Sequence, residues 1–136
     1  MYWKKTSPKT ERGKAIAKLD KIFSLYIRQR DSENGAFKCI SCGQTKPYAQ
    51  SDCGHYINRQ HFATRYDEKN CNAQCRKCNR FGEGNIQGYR KGLIAKYGEK
   101  AIDLLEMKKF NTCSLSLPEI EILTNLYKQK VKEIPD

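Results

Sequence analysis

Four cysteines fall into two C-x-x-C pairs, Cys39 and Cys42 in "CISCG" and Cys75 and Cys78 in "QCRKCN", with 32 residues between the pairs. Thiolates two residues apart in a tight turn reach one ion, and two such turns complete a tetrahedral shell for zinc. Gly43, directly after the first pair, suits a knuckle in which a positive φ lets backbone amides face the sulfurs. Four sulfurs leave no open coordination position, so this spacing predicts a zinc ion that holds the fold rather than one that reacts. The seven cysteines are an odd number, and the start "MYWKKTSPKTERGK" lacks the apolar middle of a secretory signal. Both features argue against a disulfide framework and predict an intracellular, cytoplasmic protein.

A simple zinc ribbon carries roughly 15 to 20 residues between its pairs, so the longer segment here holds something else. It contains "SDCGHYINR", residues 51 to 59, then His61, Arg65, Asn70 and Cys71, and thus both histidines of the chain. His55 can take a proton from water because an unperturbed imidazole has a pKa of ~6.5. Asp52 and Asn79 offer hard oxygens, which suit Mg2+ or Mn2+ better than zinc. Asn79 directly follows Cys78, so the zinc turn would fix its position. These are the parts that phosphodiester hydrolysis needs: a nucleophile generated near neutral pH, a cation against the charge on the phosphorane, and help for the departing oxygen.

Other readings of the same residues stay open. Asp52 and His55 are three apart and point to opposite faces of a regular strand, so sharing one site requires a bend or bulge, which Gly54 could permit. Glu83 or His61 could complete the shell around Asp52 and Asn79. Cys53, His55, His61 and Cys71 could instead bind a second zinc. Cys53, Cys71 and Cys113 also read as small buried residues. Asn70 also reads as a turn former, and Asn79 as a helix-terminal hydrogen bonder.

Lysine and arginine number 26 against 15 acids, a formal net charge of +11. A polyanionic partner fits that balance better than an acidic small molecule, and nucleic acid leads. Arg76, Lys77 and Arg80 flank the second cysteine pair, and Arg59, Arg65, Arg90 and Lys91 add further phosphate contacts, although each taken singly also reads as a solvated charge. No apolar run is long enough for a membrane span and no lipidation signal appears, so no membrane partner is expected.

The elements that must position these residues follow from periodicity. Residues 1 to 14 are polar and basic and read as a flexible arm; residues 15 to 136 read as one domain. Ile16, Leu19, Phe23, Tyr26 and Ile27 follow one face of a helix from Lys14 to Arg30, with Lys18, Lys21, Arg28 and Arg30 on a solvated or DNA-facing side. "DSENG", 31 to 35, ends it. Short strands and loops occupy 36 to 80. Helical spacing returns in Ile86, Tyr89, Leu93, Ile94 and Tyr97, then in Ile102, Leu105 and Met107, with Gly98 as the stop between two helices. A final helix opens at Ser116, with Glu119 in capping-box spacing and Pro118 in the first turn. The fold class is α+β.

"DCGHYINR", "RYDEKNCNAQCRKCNR" and "GNIQGYRKGLIAKYG", joined in order over about residues 38 to 98, resemble the phage NinG, or Rap, recombination endonucleases. The arrangement is similar to the HNH, or His-Me finger, nucleases and in its site to phage endonuclease VII. The resemblance implies a zinc-stapled ββα-metal, treble-clef-like core over 38 to 82, with helices over 85 to 134. It implies His55 as general base, Asn70 as the buttress of the hairpin loop, and Asp52 and Asn79 as ligands of the catalytic cation. It departs from the common pattern at Gly54, where a metal-binding acid or histidine usually precedes the base. The implied activity is metal-dependent endonucleolytic cleavage of DNA, on branched intermediates such as D-loops or Holliday junctions, leaving 5′ phosphate and 3′ hydroxyl ends. A symmetric junction needs two coordinated cuts, which predicts a homodimer. Two rivals from other classes are a zinc-dependent DNA-binding module without catalysis and a two-zinc protein-interaction module.

Overall fold

The computed structural model describes residues 10–135. Helix α1 (Glu11–Arg30) begins where Thr10 caps the N–H of Gly13 with its hydroxyl, and it carries an acid, Glu11, in its first turn. Of the arm expected over 1 to 14, residues 1 to 9 lie outside the described ones, and the helix already covers Glu11 to Lys14. The cap explains the earlier start: Thr10 satisfies one of the N–H groups that a helix leaves unpaired at its N-terminus.

Strands β1 (Ser32–Glu33), β2 (Ala36–Lys38) and β3 (Thr45–Pro47) form a small antiparallel sheet in that order. Asn34 and Gly35 make the first turn, both with positive φ, as a tight hairpin requires. Strands β4 (Ser51–His55) and β5 (Cys71–Cys75) form a second antiparallel pair, joined by a long loop that carries the one-turn helix α2 (Phe62–Arg65). After β5 comes a π-helical turn, Lys77–Phe81, then α3 (Ile86–Tyr97), α4 (Glu99–Lys108) and α5 (Leu117–Glu133). The architecture is α+β, with two separate small sheets among helices.

Three apolar clusters hold these parts. Leu19, Phe23 and Ile27 of α1 meet Ile120 and Tyr127 of α5, and Cys71 of β5 joins them. Tyr89 and Leu93 of α3 pack with Ile102 and Leu105 of α4 and with Ile57. Phe37, Ala73 and three of the paired cysteines form the third cluster. The helical stripes expected from the sequence supply these contacts, except that Ile86 and Met107 point outward, Met107 at 70% exposure. Gly98 ends α3 with φ 90°, and the capping box of α5 forms in full: Ser116 accepts from the N–H of Glu119, whose carboxylate accepts from the N–H of Ser116.

The β4–β5 pair sits between α1 on one side and α3 on the other, and it positions the candidate site. Its register is regular through five consecutive partners, from Ser51 opposite Cys75 to His55 opposite Cys71. There is no bulge. Asp52 and Gly54 therefore face one side, with their partners Gln74 and Asn72, while Cys53 and His55 face the other. Gly54 serves a different end from the bend anticipated for it: a β-carbon there would lie 2.2 Å from Oε1 of Gln74, whose side chain folds across the strand.

Candidate metal centre and nucleic-acid interface

Cys39, Cys42, Cys75 and Cys78 place their sulfurs within 4.8 Å of one another. Cys42 Sγ and Cys75 Sγ lie 3.9 Å apart, close to the ~3.8 Å edge of a tetrahedron with Zn–S bonds of about 2.3 Å. The local backbone explains how the sulfurs meet. Gly43 takes φ 74° and donates its N–H to the carbonyl of Cys39, which closes the first turn. Burial would raise the Cys39 thiol, but the N–H groups of Cys42, Cys75 and Ser41 together hold it below its ordinary value. Burial pushes the Cys78 thiol up to about 12, with Cys75, Cys39 and Cys42 adding to the rise against the lowering contact from Asn85. Four thiols gathered this closely are a donor set compatible with a four-sulfur zinc site.

Helix α3 braces this centre in a way that composition and periodicity did not reveal. Gly88 and Gly92 lie four apart on one face, and a β-carbon at Gly92 would come within 1.9 Å of the Ile40 carbonyl. At Gly88 the corresponding contact is the Ser41 carbonyl at 2.3 Å. Two glycines spaced i, i+4 are the legible signal: they let a helix lie directly on another backbone.

Asn79 follows Cys78 within the π-helical turn. Its Nδ2 donates to Oδ2 of Asp52 at 3.0 Å, so the two candidate ligands of a divalent cation stand together. Asp52 also receives both arms of Arg80, at 2.9 and 3.0 Å. One carboxylate and one amide are a donor set that magnesium accepts, since it commonly keeps waters and takes only one or two carboxylates from the protein. Neither Glu83, which is exposed, nor His61, at the start of α2, bonds to Asp52 or Asn79 among the described residues.

His55 is elsewhere. Its Nε2–H donates to the Arg65 carbonyl at 3.0 Å, on the side of the hairpin that faces α1 and away from Asp52. Burial, helped by the nearby Arg59 and Arg65, lowers the imidazole to about 4 against the opposing effects of the Arg65 carbonyl and Asp20. The ring is neutral at pH 7. The expected convergence of His55 with Asp52 and Asn79 on one site is not found in this geometry, because the unbulged strand separates them.

Asn70 is fully buried and clasps the loop between β4 and α2. Its Oδ1 accepts from the N–H of Ile57, and its Nδ2 donates to the carbonyls of Ile57 and Thr64. Tyr89 adds a bond from its hydroxyl to the Gly54 carbonyl at 2.7 Å and another to Asn70 O. A second network escaped the sequence: Arg30 donates to Asp31, Asn72 and the carbonyls of Glu68 and Cys71, while Lys96 reaches Asp31 and Asn72. Arg30 is thus a structural residue and not the solvated or DNA-facing cation anticipated. Arg65, expected as a phosphate contact, likewise commits its guanidinium to Asp20, and only 15% of its side chain is exposed. Arg76, Lys77, Arg90 and Lys91 are exposed, and Arg59 is largely so.

No described helix is long and apolar enough to cross a membrane. The family model described as bacteriophage lambda NinG protein matches residues 2–136. Among curated relatives, the NinG protein of Escherichia phage 933W is 34% identical over 120 residues, which is 88% of this chain and 57% of the relative. Its counterpart in Escherichia phage lambda is 33% identical over 88% of this chain and 56% of its own length, and that of Salmonella phage P22 is 34% identical over 89% and 58%. The chain thus spans little more than half the length of these relatives. No solved structure matches it. A family match along nearly the whole chain, with these relatives, shows that the chain belongs to the NinG family.

Proposed function

We propose that this protein hydrolyses DNA phosphodiester bonds with a divalent cation held by Asp52 and Asn79, on a scaffold braced by a four-cysteine zinc. The observation that carries the reading is the 3.0 Å approach of Asn79 to Asp52, from the residue directly after a zinc-binding cysteine. The zinc turn restrains one candidate ligand, and the β4–β5 pair restrains the other. A bound Mg2+ or Mn2+ would supply Lewis acidity at the phosphate and lower the pKa of a coordinated water. Arg80, now paired with Asp52 and 54% exposed, is released toward phosphate when the carboxylate turns to a cation. Arg76, Lys77, Arg90 and Lys91 hold the backbone of the nucleic acid around it.

The branched substrate, D-loop or Holliday junction, the HNH character of the core and the homodimer rest on the motif resemblance. Within that resemblance, His55 as base requires the imidazole to reach the Asp52 side. One observation favours a second reading, zinc-dependent DNA binding without cleavage: the neutral ring of His55 is tied to Arg65 O on the α1 side.

The test is incubation of four-way-junction and linear duplex DNA with Mg2+ or Mn2+. Wild type is expected to cut the junction, and Asp52→Asn and Asn79→Ala to lose at least about 100-fold in rate while keeping their zinc and their DNA affinity. His55→Gln is expected to keep cleaving; its inactivation with fold and binding intact would move the reaction to the other face of the hairpin. A wild-type chain that shifts the junction in a gel but never cuts it establishes the binding-module reading.

A further inference from the structure

The side of the hairpin that faces α1 carries a second group of metal-ligating side chains, separate from the four paired cysteines. Cys53 and His55 alternate along β4, Cys71 stands opposite His55 on β5, and one ligand atom from each lies within 4.8 Å of the other two. His61, the fourth candidate on sequence grounds, is not a member of this group.

The tautomer of the histidine suits a metal ligand. A carbonyl oxygen only accepts, so the bond to Arg65 O fixes the proton on Nε2 and leaves Nδ1 as the lone-pair nitrogen. Histidines that bind metals characteristically donate their other N–H to a carboxylate or backbone carbonyl, which sets ring orientation and tautomer. The charge balance also suits burial. Two thiolates, a neutral imidazole and a divalent cation sum to zero, so the filled site costs little to desolvate compared with a bare ion. Asp20, which lines the adjoining cavity, is not needed: it accepts from Arg65 through both oxygens and from the Tyr66 hydroxyl.

Cys53 and His55 of this group border a cavity of about 60 Å³, which Asp20, Phe23, Ser24, Arg59 and Tyr66 also line. That space is large enough for an ordered water, which takes up ~30 Å³ in the liquid. We propose that Cys53, Cys71 and Nδ1 of His55 form a second zinc site, with its fourth position filled by a water in this cavity. Thiolate and imidazole donors select zinc over magnesium or calcium. Binding converts two thiols to thiolates and releases two protons to solvent. It also gives up the weak contact of the Cys71 thiol with Arg65 O. The site is distinct in donors and in location from both the four-sulfur centre and the Asp52–Asn79 pair, so it stands whether or not the chain cleaves DNA.

The test is metal content and spectroscopy on the full chain, reconstituted with zinc or with Co2+. The expected result is two zinc ions per chain, falling to one in Cys53→Ser and in His55→Gln. The Co2+ form of wild type should show two tetrahedral components, one with four sulfurs and one with fewer sulfurs and weaker thiolate charge-transfer absorption. Only the second should vanish in the variants. The wild-type spectrum reads the site even if a variant fails to fold. A wild-type chain that binds one zinc, shows a single four-sulfur Co2+ spectrum, or holds Cys53 and Cys71 as a disulfide overturns the proposal.

Discussion

Asp31 shows how a single residue just past a helix end can tie distant elements together. It receives both arms of Arg30, the N–H of Ala73 on β5 and the ammonium of Lys96 on α3, so α1, the hairpin and α3 share one carboxylate. Burial would raise its pKa, but Arg30, the Ala73 amide and Lys96 together hold it below the usual carboxylate range. A depressed folded value means that the unfolded chain binds the proton first as pH falls. The stabilisation is therefore complete above the unfolded pKa of ~3.9 and is lost as pH drops through the lower folded value. Asp31→Ala should cost about 3 kcal/mol at pH 7, because a largely buried guanidinium loses its partner. Urea unfolding of both proteins at pH 7 and below pH 4 checks this, and the difference between them should shrink at the lower pH.

At the scale of the element, α3 is held against the zinc turn by the absence of side chains. Ala is ordinarily the better helix residue by about 1 kcal/mol, so Gly92→Ala on an isolated helix would stabilise. Here the added β-carbon meets the Ile40 carbonyl at 1.9 Å, and backbone has nowhere to go without moving the first cysteine pair. The expected outcome is net destabilisation of roughly 1–3 kcal/mol, with faster loss of zinc to a chelator. Thermal unfolding and the rate of zinc transfer to a coloured chelator measure the two effects. A neutral or stabilising Gly92→Ala would show that α3 lies further from the turn than 1.9 Å implies. The β4–β5 pair makes the complementary point. Its regular register, and not any one residue, decides that Asp52 looks toward Asn79 while His55 looks toward α1.

For the molecule as a whole, the three clusters divide the labour unevenly. The pairing of α1 with α5 is an ordinary apolar interface built on Leu19, Phe23, Ile27, Ile120 and Tyr127. The cluster around Phe37 and Ala73 is small and is otherwise made of the paired cysteines, so a zinc ion held by them would supply much of its cohesion. Structural zinc contributes on the order of 10 kcal/mol where folding and binding are coupled. Chelation should therefore strip hydrogen-exchange protection from residues 36–47 and 71–81 first, while the α1–α5 interface stays protected longest. Equal loss of protection everywhere would mean that the zinc holds the entire chain and not one part of it.

The sequence by itself determined whatever depends on local spacing: the paired cysteines, the glycine of the knuckle, the stop at Gly98, the capping box at Ser116 and the apolar stripes of the helices. Each of these is set by neighbours within about one turn, where periodicity and φ preferences act. Family membership was legible too, because several motifs occur in order along one chain. Only the tertiary structure decided which partners the polar side chains found. Arg30 and Arg65 read as DNA-contacting or solvated cations and are committed to buried or half-buried networks, since a guanidinium on a helix face bonds whatever the fold brings to it. Asp52, Cys53 and His55 are near neighbours along the chain, yet strand alternation sends the carboxylate to one side and the thiol and imidazole to the other. That this alternation runs without a bulge is set by the pairing of β4 with β5, whose Gln74 lies nineteen positions beyond His55 and folds across Gly54, and no local pattern contains it.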